Sequence, residues 1–157
     1  VVEWQFDSFG NNPPLKMVWY DGGLRPFRPD IVPEGAAMAE NGRLIVGEEG
    51  IILESTLYDE NRRKVVGEIP KTLERSPGHY AEFVQACKDP KKPARMNFDQ
   101  AGPLAQVVLM GNVALRVGLR EELTRIRLHW DQEQFKFTNS EEANHYVHKS
   151  YREGWAL

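Results

Sequence analysis

Arg43-Leu44-Ile45-Val46-Gly47-Glu48-Glu49-Gly50-Ile51-Ile52-Leu53-Glu54 is the stretch on which the fold class turns. Two short apolar runs, Arg43 to Val46 and Ile51 to Glu54, flank a Gly-Glu-Glu-Gly turn. That arrangement is a hairpin signal. Upstream, Val2, Trp4 and Phe6 alternate with Glu3, Gln5 and Asp7, the period of a strand with one apolar and one polar face. Asn11-Asn12-Pro13-Pro14 breaks the chain. Met17-Val18-Trp19-Tyr20 is apolar on both faces and reads as a more central strand, ended by Asp21-Gly22-Gly23. Gly22 to Asn41 carries Pro26, Pro29 and Pro33 and reads as one long loop.

Downstream, Leu57 to Lys71 is polar and irregular, and three helices follow. The first is expected from Ser76-Pro77, with serine as cap and proline at the first helical position. Tyr80, Phe83, Val84 and Cys87 form its stripe, with Cys87 as an inert core thiol. The second is expected from Pro103 to Val117 and stopped by Gly118. It is apolar nearly all round, which predicts deep burial, and Gly111 would let another element approach closely. Ile126, Leu128 and Trp130 alternate with Arg125, Arg127 and His129 as a one-sided strand, and Phe135 and Phe137 suggest its partner. Thr138 and Glu141 make a capping box for a third helix with Ala143, Tyr146, Val147 and Tyr151 on its stripe. The order of strands, hairpin, helices, strands and helix predicts an α+β fold: an open, largely antiparallel β-sheet with helices packed on one face. If the polar faces of the outer strands share a side, that side is wet or meets a partner across charged pairs.

The 157 residues suit a single domain, and 41% apolar with 27% charged residues is an ordinary globular balance. A net charge of −3 with dispersed basic residues argues against nucleic acid or an acidic membrane surface as partner. No uninterrupted apolar run approaches the ~20 residues of a membrane span. Cys87 is the only cysteine, so an intrachain disulfide and a cysteine zinc cluster are excluded. The start at Val1-Val2-Glu3-Trp4 has neither an initiator Met nor a signal-peptide pattern and reads as the start of a cut or processed chain, which leaves the compartment open. No glycine-rich strand–turn–helix is present to cradle a pyrophosphate.

Several segments together resemble a known family. Gly78-His79-Tyr80-Ala81-Glu82-Phe83-Val84-Gln85-Ala86-Cys87-Lys88 resembles a helix of bacterial Gfo/Idh/MocA oxidoreductases. Phe98-Asp99-Gln100-Ala101-Gly102-Pro103-Leu104 and Gly111-Asn112-Val113-Ala114-Leu115-Arg116 resemble that family's next helix. Trp130-Asp131, Phe137-Thr138-Asn139, Glu142-Ala143-Asn144 and Tyr151-Arg152-Glu153-Gly154-Trp155 resemble its closing strand and helix, and Trp19-Tyr20-Asp21-Gly22-Gly23 its strand-to-loop signature. The resemblance implies a two-domain parent. Its Rossmann domain binds NAD or NADP. Its second domain, an α/β layer with an open, largely antiparallel sheet, lines part of a pocket for sugars, polyols or cyclitols, and the sheet commonly mediates oligomers. Residues 1–157 would be that second domain with the Rossmann domain absent. The family's catalytic Glu-Lys-Pro does not occur in this sequence, its catalytic His would lie on a helix before Val1, and no catalytic or cofactor-binding residue is carried over.

Six residues are candidates for the substrate. Tyr20, Asp21 and Arg25 stand where a strand enters the long loop, and carboxylate and guanidinium groups make directional charged hydrogen bonds to hydroxyls; the alternative is a turn aspartate and solvated side chains. His79 is either a pocket group or a hydrogen-bonded residue at a helix start. Trp130 and Asp131 offer a stacking face and a carboxylate, or else a core tryptophan and a turn former. His145 and His148 with Glu141 and Glu142 fall short of the three or four convergent ligands of a metal site, so no metal is expected. Arg152 and Trp155 are expected to anchor the tail to the sheet, with Arg152 in an ion pair. The functional expectation is a substrate-binding and oligomerisation domain of an NAD(P)-dependent oxidoreductase, incomplete as a catalyst alone. A non-catalytic, self-associating module is the alternative.

Overall fold

The computed structural model describes residues 1–36, 38–120 and 125–155. In chain order the elements are β1 (Val2–Phe6), β2 (Leu15–Trp19), β3 (Leu44–Gly47), β4 (Gly50–Leu53), β5 (Thr56–Tyr58), α1 (Glu60–Val66), α2 (His79–Lys88), α3 (Phe98–Arg120), β6 (Trp130–Asp131), β7 (Lys136–Phe137) and α4 (Glu141–Asn144). The class is α+β with small open sheets, ordered β1-β2, β3-β4-β5 and β6-β7. The chain divides into two units: residues 19–76 with Val1, and residues 2–18 with 77–157.

The first unit contains the expected hairpin. β3 and β4 pair antiparallel from Leu44↔Leu53 to Gly47↔Gly50, with Glu48 and Glu49 as the loop. Gly50 sits at φ 159, at the edge of what only glycine adopts easily. The expectation of irregular chain after Leu57 is corrected. β5 adds to the hairpin with Ile52↔Leu57 in register, and α1 follows. Asp59 caps α1, its Oδ1 accepting from the Arg62 N–H at 2.8 Å. Gly67 at φ 61 closes it by donating to the Arg63 carbonyl at 3.0 Å. Arg62 reaches back to pair with Glu49 in the hairpin turn. Among its described residues the long loop has no strand or helix, and arginines fold it instead. Arg28 Nη1 donates to the carbonyls of Pro33 at 2.7 Å and Ala36 at 2.6 Å, and Arg25 Nη1 to that of Met38 at 2.9 Å.

The second unit is organised by α3. This helix starts at Phe98, passes through Pro103 and Gly118 and runs to Arg120, so neither residue bounds it as the sequence suggested. Asn97 opens it by accepting the Asp99 N–H on its side chain at 2.9 Å. Pro103 lies in the second turn, where it has no N–H to give to the Asp99 carbonyl and its ring crowds that oxygen, and the helix continues through it. The expected close approach at Gly111 is present. A β-carbon there would lie 2.5 Å from Cζ2 of Trp4, and the Trp4 indole N–H donates to the Val107 carbonyl at 3.1 Å. One turn and a half further on, Val117 joins Phe137 and Ala143 in the buried core, with Met110, Ile126, Leu128, Trp130, Tyr146 and Val147 around it. Deep burial of α3 is corrected: only Gly111 and Val117 are buried, and Leu104, Val108, Leu109, Leu115 and Leu119 are exposed. By length and composition alone α3 could cross a membrane. Its contacts with Trp4 and with the Phe137 core are those of a helix docked on strands of its own unit.

The C-terminal part departs further from expectation. Of the segment Ile126 to Trp130 only Trp130 is in a strand, because the ladder beside it is short: Trp130↔Phe137 and Asp131↔Lys136. Asparagine side chains supply what a neighbouring strand would. Asn139 Oδ1 accepts the His129 N–H at 2.8 Å and its Nδ2 donates to the Arg127 carbonyl at 2.8 Å. Asn144 satisfies both backbone groups of Phe137, at 2.7 Å and 2.8 Å. Ser140, not Thr138, caps α4, accepting from the Ala143 N–H at 3.1 Å. α4 ends at Asn144, before Tyr151. The tail contact is Arg152 stacked over Trp155 at 4.2 Å, with Trp155 exposed rather than packed on a sheet. α2 begins at His79 with Gly78 as its N-cap, two residues later than Ser76 would set it. Its stripe is open to solvent: Tyr80 is 81% and Phe83 66% exposed. Cys87 is an exposed thiol, not a core one.

Two substitutions test this account. Gly111→Ala drives a methyl into the Trp4 ring. Overpacking of about 1–3 kcal/mol outweighs the ~1 kcal/mol that alanine adds to helix propensity, so the thermal midpoint should fall, and Trp4→Phe on that background should recover part of it. Unchanged stability of Gly111→Ala would show that the ring is free to move away. Asn144→Ala strands two half-buried backbone groups and should cost about 2–3 kcal/mol in urea unfolding. Asn139→Ala, where water can replace the amide, should cost about 1 kcal/mol.

Candidate functional site

The six candidate residues divide between the units. Tyr20, Asp21 and Arg25 share the loop of the first. His79, Trp130 and Asp131 belong to the second.

In the first group the backbone turns sharply after β2. Gly22 and Gly23 take φ 65 and 81, which a side chain would disfavour at both positions. The Asp21 carbonyl accepts the Leu24 N–H at 3.3 Å and Asp21 Oδ1 the Gly22 N–H at 2.7 Å. One carboxylate oxygen is thereby held while Oδ2 has no partner among the described residues. Arg25 spends one N–H on the Met38 carbonyl and keeps the rest of its fork. Tyr20 is exposed beside them. A hydrogen-bonding acceptor and a cationic fork are thus oriented on one loop without being consumed by it. Arg28, which no sequence pattern marked, does most to shape that loop.

In the second group the local partners are more complete. The Trp130 indole N–H donates to Gln132 Oε1 at 2.9 Å, an oxygen that also accepts from Gln106 at 2.6 Å. The ring stands edge-on to Phe135 and Phe137, 5.0 Å from each. Asp131 Oδ1 accepts the N–H groups of Glu133 and Gln134, both at 2.9 Å, as an aspartate shaping a turn does. His79 is exposed on the first turn of α2, its ring 4.2 Å from that of Tyr80.

None of the six residues lines either of two open depressions found among the described residues. One, about 380 Å³, has Val117, Ile126 and Leu128 as its floor and Arg127, Asn139 and Glu142 at its rim. The other, about 340 Å³, lies on the hairpin sheet over Ile45, Ile52, Leu57 and Val66, rimmed by Glu48, Glu49 and Arg62. Beside the first, Arg120 Nη1 donates to Glu142 Oε1 at 2.9 Å and to the Tyr146 hydroxyl at 3.4 Å, and that hydroxyl donates to the same Glu142 oxygen at 3.1 Å. The Tyr146 hydroxyl and then the Glu142 carboxylate hold the Arg120 guanidinium above its ordinary pKa. The expectation of no metal site concerned the helix carrying Glu141, Glu142, His145 and His148. Among the described residues, no group of three or more ligating side chains converges there or elsewhere.

A dinucleotide does not fit the strand-to-helix junctions. One amide in the first turn of α1, that of Arg62, is taken by Asp59 and one in the first turn of α4, that of Ala143, by Ser140, and these turns carry Glu60, and Glu141 with Glu142. Carboxylates at those positions repel a pyrophosphate that free amides would attract. The Gly47–Gly50 turn joins two antiparallel strands and opens no helix.

The family described as "Oxidoreductase family, C-terminal alpha/beta domain" matches residues 14–157. No curated protein and no solved structure matches the chain.

Saturating NADH or NADPH should leave the thermal midpoint of this chain unchanged. A ligand at 100 times its dissociation constant would add about 2.7 kcal/mol, so a saturable upward shift would place dinucleotide binding here after all.

Proposed function

The chain belongs to the Gfo/Idh/MocA oxidoreductase family, as its C-terminal alpha/beta domain, and from that membership we propose that it positions a sugar, polyol or cyclitol derivative for an NAD(P)-dependent parent enzyme. The nicotinamide cofactor would supply hydride chemistry from another domain of that parent. This chain would contribute orientation. The observation that supports the reading is the loop after β2, where Asp21 and Arg25 are fixed by their own backbone contacts and still carry free hydrogen-bonding capacity beside the exposed Tyr20. A carboxylate and a guanidinium held in this way recognise vicinal hydroxyls by charged, directional hydrogen bonds. As one C-terminal domain of a two-domain protein, the chain would be inactive on its own.

A second reading, self-association, has its own support. Tyr80, Phe83 and Val84 on α2, and Leu104, Val108 and Leu115 on α3, form apolar stripes that the other described residues leave exposed. Patches of this kind mark surfaces that meet another protein. The two readings are compatible in one domain.

A panel of hexoses, polyols and inositols screened by chemical-shift perturbation should contain at least one saturable ligand that perturbs the loop after β2. Asp21→Asn keeps the turn's acceptor but removes the charge, and should weaken that ligand about tenfold, the equivalent of ~1.4 kcal/mol. A panel without binders, or an Asp21→Asn chain that binds equally well, would remove the support for substrate positioning.

A further inference from the structure

We propose that Asn41-Gly42 is a self-modification site, at which the folded chain closes a succinimide ring and loses the Asn41 amide. This goes beyond the functional reading above and does not depend on it. Of the eight asparagines, Asn41 is the one followed by glycine. The pair lies between two fixed points. Arg25 ties the long loop down at the Met38 carbonyl, and β3 begins at Leu44. From Ala39 to Gly42, no backbone or side-chain group has a hydrogen-bond partner among the described residues. All four residues are exposed.

The chemistry needs two free groups. The Gly42 backbone nitrogen must give up its proton and reach the side-chain carbonyl carbon of Asn41. A hydrogen-bonded N–H holds its proton, and a bonded side-chain amide cannot turn toward it. Here neither group is held, and glycine puts no β-carbon in the path. The attack is intramolecular, with nucleophile and carbonyl on adjacent residues. A bond forms between the Gly42 nitrogen and Asn41 Cγ. The Cγ–Nδ2 bond breaks, and Nδ2 leaves as ammonia with the displaced proton. Water then adds to one of the two ring carbonyls. Addition at Cγ gives an aspartate. Addition at the main-chain carbonyl gives an isoaspartyl link, in which the backbone runs through the side chain.

Other asparagines show what protection consists of. Asn139 precedes the small Ser140, but its amide is bonded to the His129 N–H and the Arg127 carbonyl. For Asn11 the attacking nitrogen would be that of Asn12, whose N–H donates to the Phe9 carbonyl at 2.9 Å. Glu54 explains why position 42 takes no side chain. Its carboxylate accepts the Arg43 N–H at 3.2 Å and fills the space that a β-carbon at Gly42 would need. Modification adds a second carboxylate next to Gly42. The isoaspartyl form also adds a backbone carbon just before the Arg43–Glu54 bonds that close the hairpin.

Peptide mapping by mass spectrometry after incubation at neutral pH, folded and in urea, tests this. In the folded chain the Asn41 peptide should exchange amide for acid. It should appear in two forms, one of which accepts a methyl group from an isoaspartyl carboxyl methyltransferase. Its folded rate should lie within about threefold of its rate in urea, because the fold leaves the site open. Asn139 should react about tenfold or more slowly in the folded chain than in urea, since it must first be released from its bonds. Asn41→Gln, whose longer side chain closes the ring less readily, should lose both the acid and the methyl acceptor. An Asn41 peptide that keeps its amide in the folded chain while converting in urea would overturn the proposal, because the fold would then shield the pair. Equal folded rates at Asn139 and Asn41 would also overturn it, because hydrogen bonding would then not control the reaction.

Discussion

Gly111 has no β-carbon, and the indole of Trp4 occupies the space where one would reach. The 23-residue helix α3 depends on that vacancy. The helix is apolar on most of its surface, yet it is buried at two residues, Gly111 and Val117. At the first, the ring of β1 lies against bare backbone and its N–H adds a bond to the Val107 carbonyl. At the second, Val117 closes the core with Phe137 and Ala143. Two separated contacts fix both the position and the rotation of a helix, where one would leave it free to pivot. Residues that wrap the core, from Ile126 to Val147, take their places from the second contact.

The same unit handles a shortage of sheet by using amides. A two-residue ladder leaves the backbone around His129 and Phe137 in need of partners, and buried backbone groups without partners are costly. Asn139 and Asn144 each present one acceptor and one donor in the spacing of a peptide group. Each therefore stands in for a residue of a missing strand. This gives the segments Phe137-Thr138-Asn139 and Glu142-Ala143-Asn144 a structural meaning. Their asparagines hold the Phe137 core, and Ala143 is small because it lies completely buried under the same core.

Parts of this were open to reading from residues alone. The hairpin was legible because glycine brackets its turn and a short apolar run lies on either side of it. The close approach at Gly111 was legible because a glycine in an apolar helix serves few other ends. β5 and α1 were not legible, although Asp59 and Gly67 bracket α1 with a cap and a positive-φ glycine; the polar residues between them hid the pattern. Among the candidate site residues, the turn at Asp21 was expected from Asp-Gly-Gly. The bonds of Arg25 and Arg28 to loop carbonyls were not, because a guanidinium reaching a carbonyl several residues away leaves no periodic trace. For Trp130 and Asp131 a core and turn role was one of two open readings, and the contacts of both residues are local ones.

The amino-acid sequence by itself determined the α+β class, the antiparallel hairpin, the presence of helices over the α2 and α3 segments and the family to which the chain belongs. These follow from periodicity, turn chemistry and ordered motifs, which are properties of neighbours along the chain. The tertiary structure decided where the helices begin and end, which of their apolar faces are covered and which asparagines replace backbone. Pro103 starts a helix and Gly118 stops one only if nothing else favours its continuation. Cys87 and Phe83 are core residues only if another element comes to lie on α2. Such outcomes depend on contacts between residues far apart in sequence, as Trp4 and Gly111 are, and no local pattern encodes them.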